Sequence, residues 1–264
     1  MSFTKTFSLT FGDVAENHVG MQKVGDLADR GFNYQDLMAA KLWFEDRGCI
    51  CKIRHLHWML PEEQQIPSNY AWLLTVKGAV NALLEDDNGA NVLFEEQDIL
   101  EKDTKAFMYG RVVNKHARHN LCFAEEHQEP DYDKGKGRLY AFDEVPNLKR
   151  IREKLGEVIG EKSANLQAEG NYYYDITKCG IGYHGDAERK KVIAIRLGCS
   201  IPLHFRWHHN NEAISDDDIK VTHLEHGDLY IMSEKATGYD WKCKSRHTLR
   251  HAAGCKKFLD EKNG

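Results

Sequence analysis

The second half of the chain is divided into short runs of β-forming residues, and this pattern limits the fold more than any other feature. Turn-forming residues such as Gly198 and Gly227 separate the runs, which span 192–195, 202–207, 219–222, 228–232 and 247–251. Short strands at regular spacing are typical of β-sandwiches and barrels. We therefore expect a rolled sheet that brings together strand ends distant in sequence.

A His-x-Asp pair, His184 and Asp186, stands directly before these runs. On a strand, residues i and i+2 share a face, so one strand end can offer an imidazole nitrogen and a carboxylate oxygen to one metal. Alone the spacing is a weak signal, and its ordinary explanation is a strand-end histidine beside a solvated aspartate. A rolled sheet can bring His251, from the last run, to this pair. Two histidines and one carboxylate leave three positions open on an octahedral ion, as non-haem Fe(II) oxygenases require.

Composition sets broad limits on the class of protein. The chain has 264 residues, of which 41% are hydrophobic, enough for one large domain or two small ones. It contains no apolar run that could span a membrane, and its N-terminus lacks the apolar region of a signal peptide. The seven scattered cysteines fit reduced thiols, so we expect a cytoplasmic or nuclear protein, and we expect a monomer. A net charge of −5 is unlike an obligate nucleic-acid binder, although local basic patches could still bind.

The N-terminal hundred residues have a different pattern. Residues 26–46 are predicted to form a helix, 50–54 a strand, and 70–84 a strand followed by a helix. We assign 1–100 as an α+β segment of unknown role, either a separate domain or an extension packed on the sheet, and 101–264 as the main domain. Four residues of this segment, Cys49, Cys51, His55 and His57, could bind zinc, but their alternation fits a strand better.

A basic and aromatic segment, 107–123, opens the main domain. Its Arg111, Lys115 and Arg118 lie between aromatic residues, a mixture suited to phosphate contact and base stacking. The alternative explanation is a solvated basic strand and loop. An amphipathic helix is predicted at 147–159, directly after Pro146.

Together these features resemble the AlkB-type Fe(II)/2-oxoglutarate-dependent dioxygenases over about residues 107–257. The resemblance is carried by the basic segment, the helix, and the motifs Asn171-x-Tyr173, His184-x-Asp186-x-Glu188, Leu197-Gly198 and Gly227 to Ser233. It implies an α+β fold with a double-stranded β-helix (jelly-roll) core and flanking helices. It also implies Fe(II) held by His184, Asp186 and His251, with 2-oxoglutarate chelating the iron and contacting Asn171 and Tyr173.

The chain departs from the family pattern in two places. Cys243, in Trp241-x-Cys243, occupies a position where the family has a histidine ligand. We prefer His251 as the third ligand because its basic-His-Gly context resembles that of the family, and His247 is the alternative. No arginine follows His251 to hold the far carboxylate of 2-oxoglutarate, although lysines do. Lys257, Arg250 and Arg246 are the candidates, and a lysine would lack the bidentate fork.

The resemblance implies that O₂ and 2-oxoglutarate are consumed to demethylate or hydroxylate a substrate. The basic segment favours a nucleic-acid base, single-stranded or flipped, in DNA or RNA repair or modification. Arg111, Lys115, Arg118 and Tyr183 are candidate substrate contacts. Two alternatives stay open: the same chemistry on a protein or small molecule, and a catalytically silent nucleic-acid-binding module. Salt-dependent oligonucleotide binding tests the first alternative, and consumption of 2-oxoglutarate tests the second.

Overall fold

The structure is a computed structural model that describes residues 3–214, 219–221 and 224–260. Its strands are β1 (Thr6–Gly12), β2 (Val14–Glu16), β3 (Lys23–Gly25), β4 (Ile50–His55), β5 (Trp72–Lys77), β6 (Lys105–Met108), β7 (Arg111–Asn114), β8 (His119–Ala124), β9 (Leu139–Ala141), β10 (Gln167–Tyr173), β11 (Gly180–His184), β12 (Val192–Gly198), β13 (Leu203–His209), β14 (Glu212–Ala213), β15 (Ile219–Val221), β16 (Asp228–Met232) and β17 (Thr248–Gly254). Its helices are α1 (Tyr34–Glu45), α2 (Ala79–Leu84), α3 (Gly89–Ile99), α4 (Pro146–Ile159) and α5 (Lys256–Leu259). The mixed α+β class expected from the sequence is confirmed.

Two sheets make up most of the molecule. The eight-stranded sheet has the order β4-β5-β16-β12-β1-β10-β8-β9, and the five-stranded sheet has the order β11-β17-β13-β14 with β15 paired to β13. Among the strands described above, pairing is antiparallel except between β8 and β9. The expected runs appear as β12, β13, β15, β16 and β17, and Thr222, the end of one run, lies outside the described residues.

The eight-stranded sheet is buried on both faces. One face packs on helices α1 to α4 through a large apolar cluster that includes Phe7, Leu9 and Ile195. The opposite face shares a second cluster with the five-stranded sheet, which contributes Phe205 and Trp207. Because side chains alternate along a strand, the residues between the apolar ones of β1 and β12 point into the space between the sheets.

The N-terminal hundred residues are part of this sheet rather than a separate layer. Strand β1 lies between β10 and β12, and β5 pairs with β16. Their apolar side chains share one cluster with α4 and β12. The two parts on either side of residue 100 therefore share one hydrophobic core, because they bury their apolar faces on each other. The sequence offered no role for residues 1–24, yet β1 has the two-residue alternation of a strand.

Two helices show how local sequence sets their ends. The helix expected from Asp26 begins only at Tyr34, because Asn33 caps it: its side chain accepts from the Asp36 N–H, and the Asp36 carboxylate accepts from the Asn33 N–H. Helix α4 is confirmed, with Pro146 in its first turn and Leu148, Ile151 and Leu155 buried. None of the helices in the described part of the chain has the length and apolar character needed to cross a bilayer.

Candidate metal centre

Two paired strands bring together the three side chains that the sequence suggested as metal ligands. His184, the last residue of β11, lies opposite His251 in β17, and directly opposed residues of an antiparallel pair share a face. Asp186 follows β11, and its backbone N–H donates to the Thr237 carbonyl at 2.9 Å. Ligand atoms of the three residues all lie within 4.8 Å of one another, so the group could hold a metal ion.

A β-bulge in β11 decides which of its side chains face inward. Ile181 pairs with Ala253 and His184 with His251, so β11 contains one residue more than β17 over this interval. The extra residue reverses the alternation, and Ile181 and His184 both face inward. Tyr183 faces the other way, with its hydroxyl 3.3 Å from Nδ1 of His204. The strand thus turns the expected substrate contact Tyr183 away from the metal group.

The hydrogen bonds of His184 leave one ring nitrogen for a metal. Its Nδ1 lies 2.8 Å from the Gly182 carbonyl oxygen, so Nδ1 carries the proton and donates. Its Nε2 then presents a lone pair 3.6 Å from Oδ1 of Asp186. Nε2 of His251 lies 3.7 Å from the same oxygen. Both imidazoles therefore converge on one carboxylate, which is the arrangement of a three-ligand metal site.

Burial disfavours the charged form of each of these three groups. It lowers the pKa of His184 to about 4 and the pKa of His251 well below its usual value. Both imidazoles are thus neutral near pH 7, as metal ligation requires. Burial also raises the pKa of Asp186 to about 8, although Arg189 opposes the rise. A divalent cation would supply the opposite charge that the buried carboxylate needs.

Arg189 holds the carboxylates behind the group. It is almost fully buried, and its Nη2 donates to Glu169 at 2.6 Å and to Glu188 at 2.8 Å. Its Nε lies 4.0 Å from Oδ2 of Asp186. One oxygen of Asp186 is therefore oriented toward the two histidines while the other faces a fixed cation.

The three residues line a cavity of about 140 Å³ that both sheets enclose. One water molecule needs only roughly 15 Å³ of such space, so a small organic molecule fits. The polar residues that the eight-stranded sheet contributes are Ser8, Thr10, Asn120, Glu169, Asn171, Tyr173, Arg196 and Tyr230.

Arg196 is the residue of this cavity that the sequence analysis missed. It belongs to β12, its exposed fraction is 1%, and both Nε and one terminal nitrogen lack a hydrogen-bond partner among the described residues. A buried unpaired guanidinium is costly unless an anion accompanies it. The sequence does hold a signal: Arg196 interrupts the otherwise apolar run Val192–Gly198, every residue of which is buried.

A viral protein is similar to this chain over almost the whole length of both. A protein of Acanthamoeba polyphaga mimivirus, "Uncharacterized protein R156", is 46% identical over 255 residues, covering 97% of this chain and 98% of that protein. The chain belongs to the family of this mimivirus protein. No protein-family model matches it. The match to R156 includes the N-terminal hundred residues as well as the strands of the metal group.

In this member of the R156 family, three of the predicted site residues line the same cavity as the metal group. They are Asn171, Tyr173 and Arg118. Oδ1 of Asn171 accepts from Nε of Arg118 and from Nδ2 of Asn120, each at 2.7 Å. Tyr173 is buried, and burial raises the pKa of its hydroxyl, so it stays protonated and able to donate.

The three residues suggested for the far carboxylate of 2-oxoglutarate lie away from the cavity lining. Arg250 neighbours His251 on β17 and so faces the opposite side of the strand, where its Nη2 donates to Asn211 at 3.0 Å. Lys257 is exposed in α5, with its ammonium over the Phe258 ring. Arg246 is also exposed.

Two of the expected substrate contacts have other surroundings. Lys115 is half-buried, and its ammonium donates to Oδ1 of Asn17 at 2.7 Å and to Oδ1 of Asn120 at 2.9 Å. Since Asn17 and Asn120 both line the cavity, Lys115 supports the cavity wall. Arg111 is exposed at the start of β7, in the hairpin that β6 and β7 form.

The remaining candidate ligands have structural contacts. His247, the alternative third ligand, stacks on His209 at 4.7 Å between ring centroids. In the proposed zinc cluster, His57 Nδ1 lies 3.1 Å from the Ala71 carbonyl oxygen and His55 Nδ1 accepts from Trp72. Among the residues that the structure describes, the group that could hold a metal ion is His184, Asp186 and His251. His223 lies outside them.

Proposed function

We propose that the chain is an Fe(II)- and 2-oxoglutarate-dependent dioxygenase in which His184, Asp186 and His251 hold the iron. The observation that carries this proposal is a single cavity that contains both a group able to hold a metal and a buried arginine with unpaired nitrogens. A dicarboxylate needs both features if one end chelates a metal and the far carboxylate binds an arginine.

The donor set fits Fe(II). Two neutral imidazoles and one carboxylate would hold the ion, and this is the donor set that non-haem Fe(II) oxygenases use. The hydrogen bond from His184 Nδ1 to the Gly182 carbonyl fixes the tautomer that ligates through Nε2. When bound, the iron with 2-oxoglutarate and O₂ supplies the oxidising power for hydroxylation of a C–H bond.

The chain's own residues would bind and orient the co-substrate. Arg196 would hold the far carboxylate of 2-oxoglutarate. In the family that the chain resembles, arginines later in the sequence have this role. The hydroxyl of Tyr173 and the side-chain amide of Asn171 donate to its polar atoms, as the resemblance implies. Because the cavity lies between the two sheets, the surrounding side chains would exclude bulk water. Exclusion of water would strengthen each of these contacts.

The arrangement of strands supports the same proposal. Two sheets face each other across an apolar cluster, and the metal group lies on the paired strands β11 and β17 of the smaller one. We infer that the core is a double-stranded β-helix, with α1 to α4 covering its outer face.

For the substrate we propose a nucleic-acid base. Arg111 and the 90% exposed Tyr109 lie on the β6–β7 hairpin, and His119 stacks on Tyr174 at 4.5 Å beside Arg118. Cationic side chains together with aromatic ones suit phosphate contact and base stacking. The alternatives are a protein or small-molecule substrate with the same chemistry, and a silent nucleic-acid-binding module.

Succinate production tests the proposal. The purified protein with Fe(II), ascorbate and 2-oxoglutarate in air should form succinate, faster with methylated single-stranded oligonucleotides than without. Asp186→Ala and His251→Ala should abolish it. Absence of succinate together with absence of anaerobic Fe(II) binding would rule out the oxygenase, and oligonucleotide binding alone would then favour the silent module.

A further inference from the structure

Trp241, a residue of the cavity lining, carries a second donor that has no hydrogen-bond partner within the described part of the chain. Trp241 lines the cavity with the metal group. Its Nε1 is buried and has no hydrogen-bond partner among the described residues. A buried indole N–H normally finds an acceptor, because leaving it unpaired costs free energy.

Other tryptophans of the chain follow that rule. Nε1 of Trp207 donates to the Leu56 carbonyl at 2.9 Å, and Nε1 of Trp72 donates to Nδ1 of His55 at 3.2 Å. Trp241 differs from both because its N–H has no acceptor in the described structure and because the residue lines the cavity. An acceptor from a bound molecule would satisfy it.

Close packing fixes Trp241 against the metal motif itself. A Cβ placed on Gly185, between His184 and Asp186, would lie 2.7 Å from both Cβ and Cδ1 of Trp241. Since Cδ1 is bonded to Nε1, the N–H lies beside the backbone that carries two of the ligands. Arg250 covers the ring, with its guanidinium carbon 5.2 Å from the ring centroid. The indole is therefore held in place before any ligand binds.

We propose that Trp241 donates its indole N–H to an oxygen of the 2-oxo acid that occupies the metal cavity, and so positions that ligand. This gives Arg250, excluded above from the carboxylate, an indirect role through the ring that it covers. The inference rests on the proposed metal and co-substrate site, but it needs no turnover and no identified substrate.

Indole NMR tests the contact directly. The chain has five tryptophans, and loss of one ¹⁵N–¹H indole cross-peak in Trp241→Phe assigns the signal of Trp241. Zn²⁺ serves as a redox-inert metal, and 2-oxoglutarate is then added. We expect the Trp241 indole proton to move downfield and exchange more slowly at the second addition, while the signal of the 65% exposed Trp58 stays in place.

The outcomes separate this inference from the proposed function. If the methylene signals of 2-oxoglutarate are unaffected by the Zn²⁺-loaded protein, the co-substrate assignment fails. If 2-oxoglutarate binds while the Trp241 signal does not respond to it, only the role of Trp241 is overturned.

The matching variant is Trp241→Phe, which keeps an aromatic ring on Gly185 and removes the N–H. We expect its affinity for 2-oxoglutarate to fall about tenfold, the usual effect of losing a hydrogen bond to a charged group. Its Zn²⁺ affinity should be that of the wild type, which also reports correct folding. Trp58→Phe, the same replacement on the surface, should leave both affinities unchanged. Equal 2-oxoglutarate affinity in Trp241→Phe and wild type would contradict the proposal.

Discussion

The two ends of the cavity are assembled in different ways. At the metal end, His184 and Asp186 are two residues apart, and one strand pairing brings His251 opposite His184. At the other end, Ser8, Tyr173 and Arg196 come from β1, β10 and β12, strands from both halves of the chain. The metal end has neutral imidazoles around a carboxylate, whereas the arginine end has a buried cation with unpaired nitrogens. The first group could hold a cation, and the second has donors that could receive an anion.

The difference predicts two separable binding functions. A ligand with a single carboxylate could bind at the metal, but only a ligand with a second anionic group would satisfy Arg196. Substitutions at one end should therefore change affinity for the metal or for the acid, and not both equally.

The largest effect is expected at the metal end. His251→Ala should weaken divalent-metal affinity more than about 100-fold, beyond the 10- to 100-fold that loss of a ligand's supporting partner costs. His247→Ala removes the other histidine of the same run and should leave affinity unchanged, because that ring stacks on His209. Calorimetric titration with Co²⁺ or anaerobic Fe(II) measures both. Equal losses in the two variants would mean that the third ligand is wrongly assigned.

At the arginine end, Arg196→Met should weaken 2-oxoglutarate binding roughly 30-fold, about 2 kcal/mol, with metal affinity unchanged. Arg250→Met removes the same charge from the opposite face of β17 and serves as the control. Its effect should be smaller, limited to its support of Trp241. Titration of the Zn²⁺-loaded protein with 2-oxoglutarate checks this, and a larger loss in Arg250→Met would reverse the assignment.

Arg196→Met should weaken ligand binding but stabilise the protein when no ligand is present. Without ligand, Arg196→Met should raise the free energy of unfolding by about 1 kcal/mol, because an unpaired buried cation is replaced by an apolar chain. With Zn²⁺ already bound, adding 2-oxoglutarate should raise the melting temperature of the wild type more than that of the variant. A variant less stable than the wild type without ligand would mean that Arg196 has a partner within the protein.

The same comparison explains what could be predicted from sequence. The metal end could be predicted because a local spacing and a strand pattern define it, and α4 because its apolar periodicity and Pro146 are local signals. The arginine end could not, because the position of Arg196 depends on which strands neighbour β12. The outward orientation of the Tyr183 side chain could not be predicted either, because it depends on a bulge in the pairing of β11 with β17.

A residue of the cavity wall should make stability depend on pH. Burial lowers the pKa of Lys115 to about 8, although Asp103 opposes the shift. Between about pH 8 and 10.5 the unfolded chain binds a proton that the folded one has lost, so Lys115 makes stability rise with pH in this window. We expect about 1–2 kcal/mol, less than the full shift implies, because the side chain is only partly buried. Chemical denaturation of wild type and Lys115→Met across this range isolates the contribution. Parallel curves for the two proteins would contradict it.

The smallest expected effect lies outside the cavity, on the β6–β7 hairpin. If the substrate is a nucleic acid, Arg111→Ala should weaken single-stranded oligonucleotide binding about threefold for all sequences and lower the salt slope by about one. Lys149→Ala removes the same charge from α4, where Lys149 pairs with Asp143, and should have no effect. Fluorescence anisotropy at several salt concentrations measures both. Identical salt slopes in the wild type, Arg111→Ala and Lys149→Ala would contradict the nucleic-acid substrate and favour a protein or small molecule. The assignments at the two cavity ends would be unaffected, because neither end by itself selects a base.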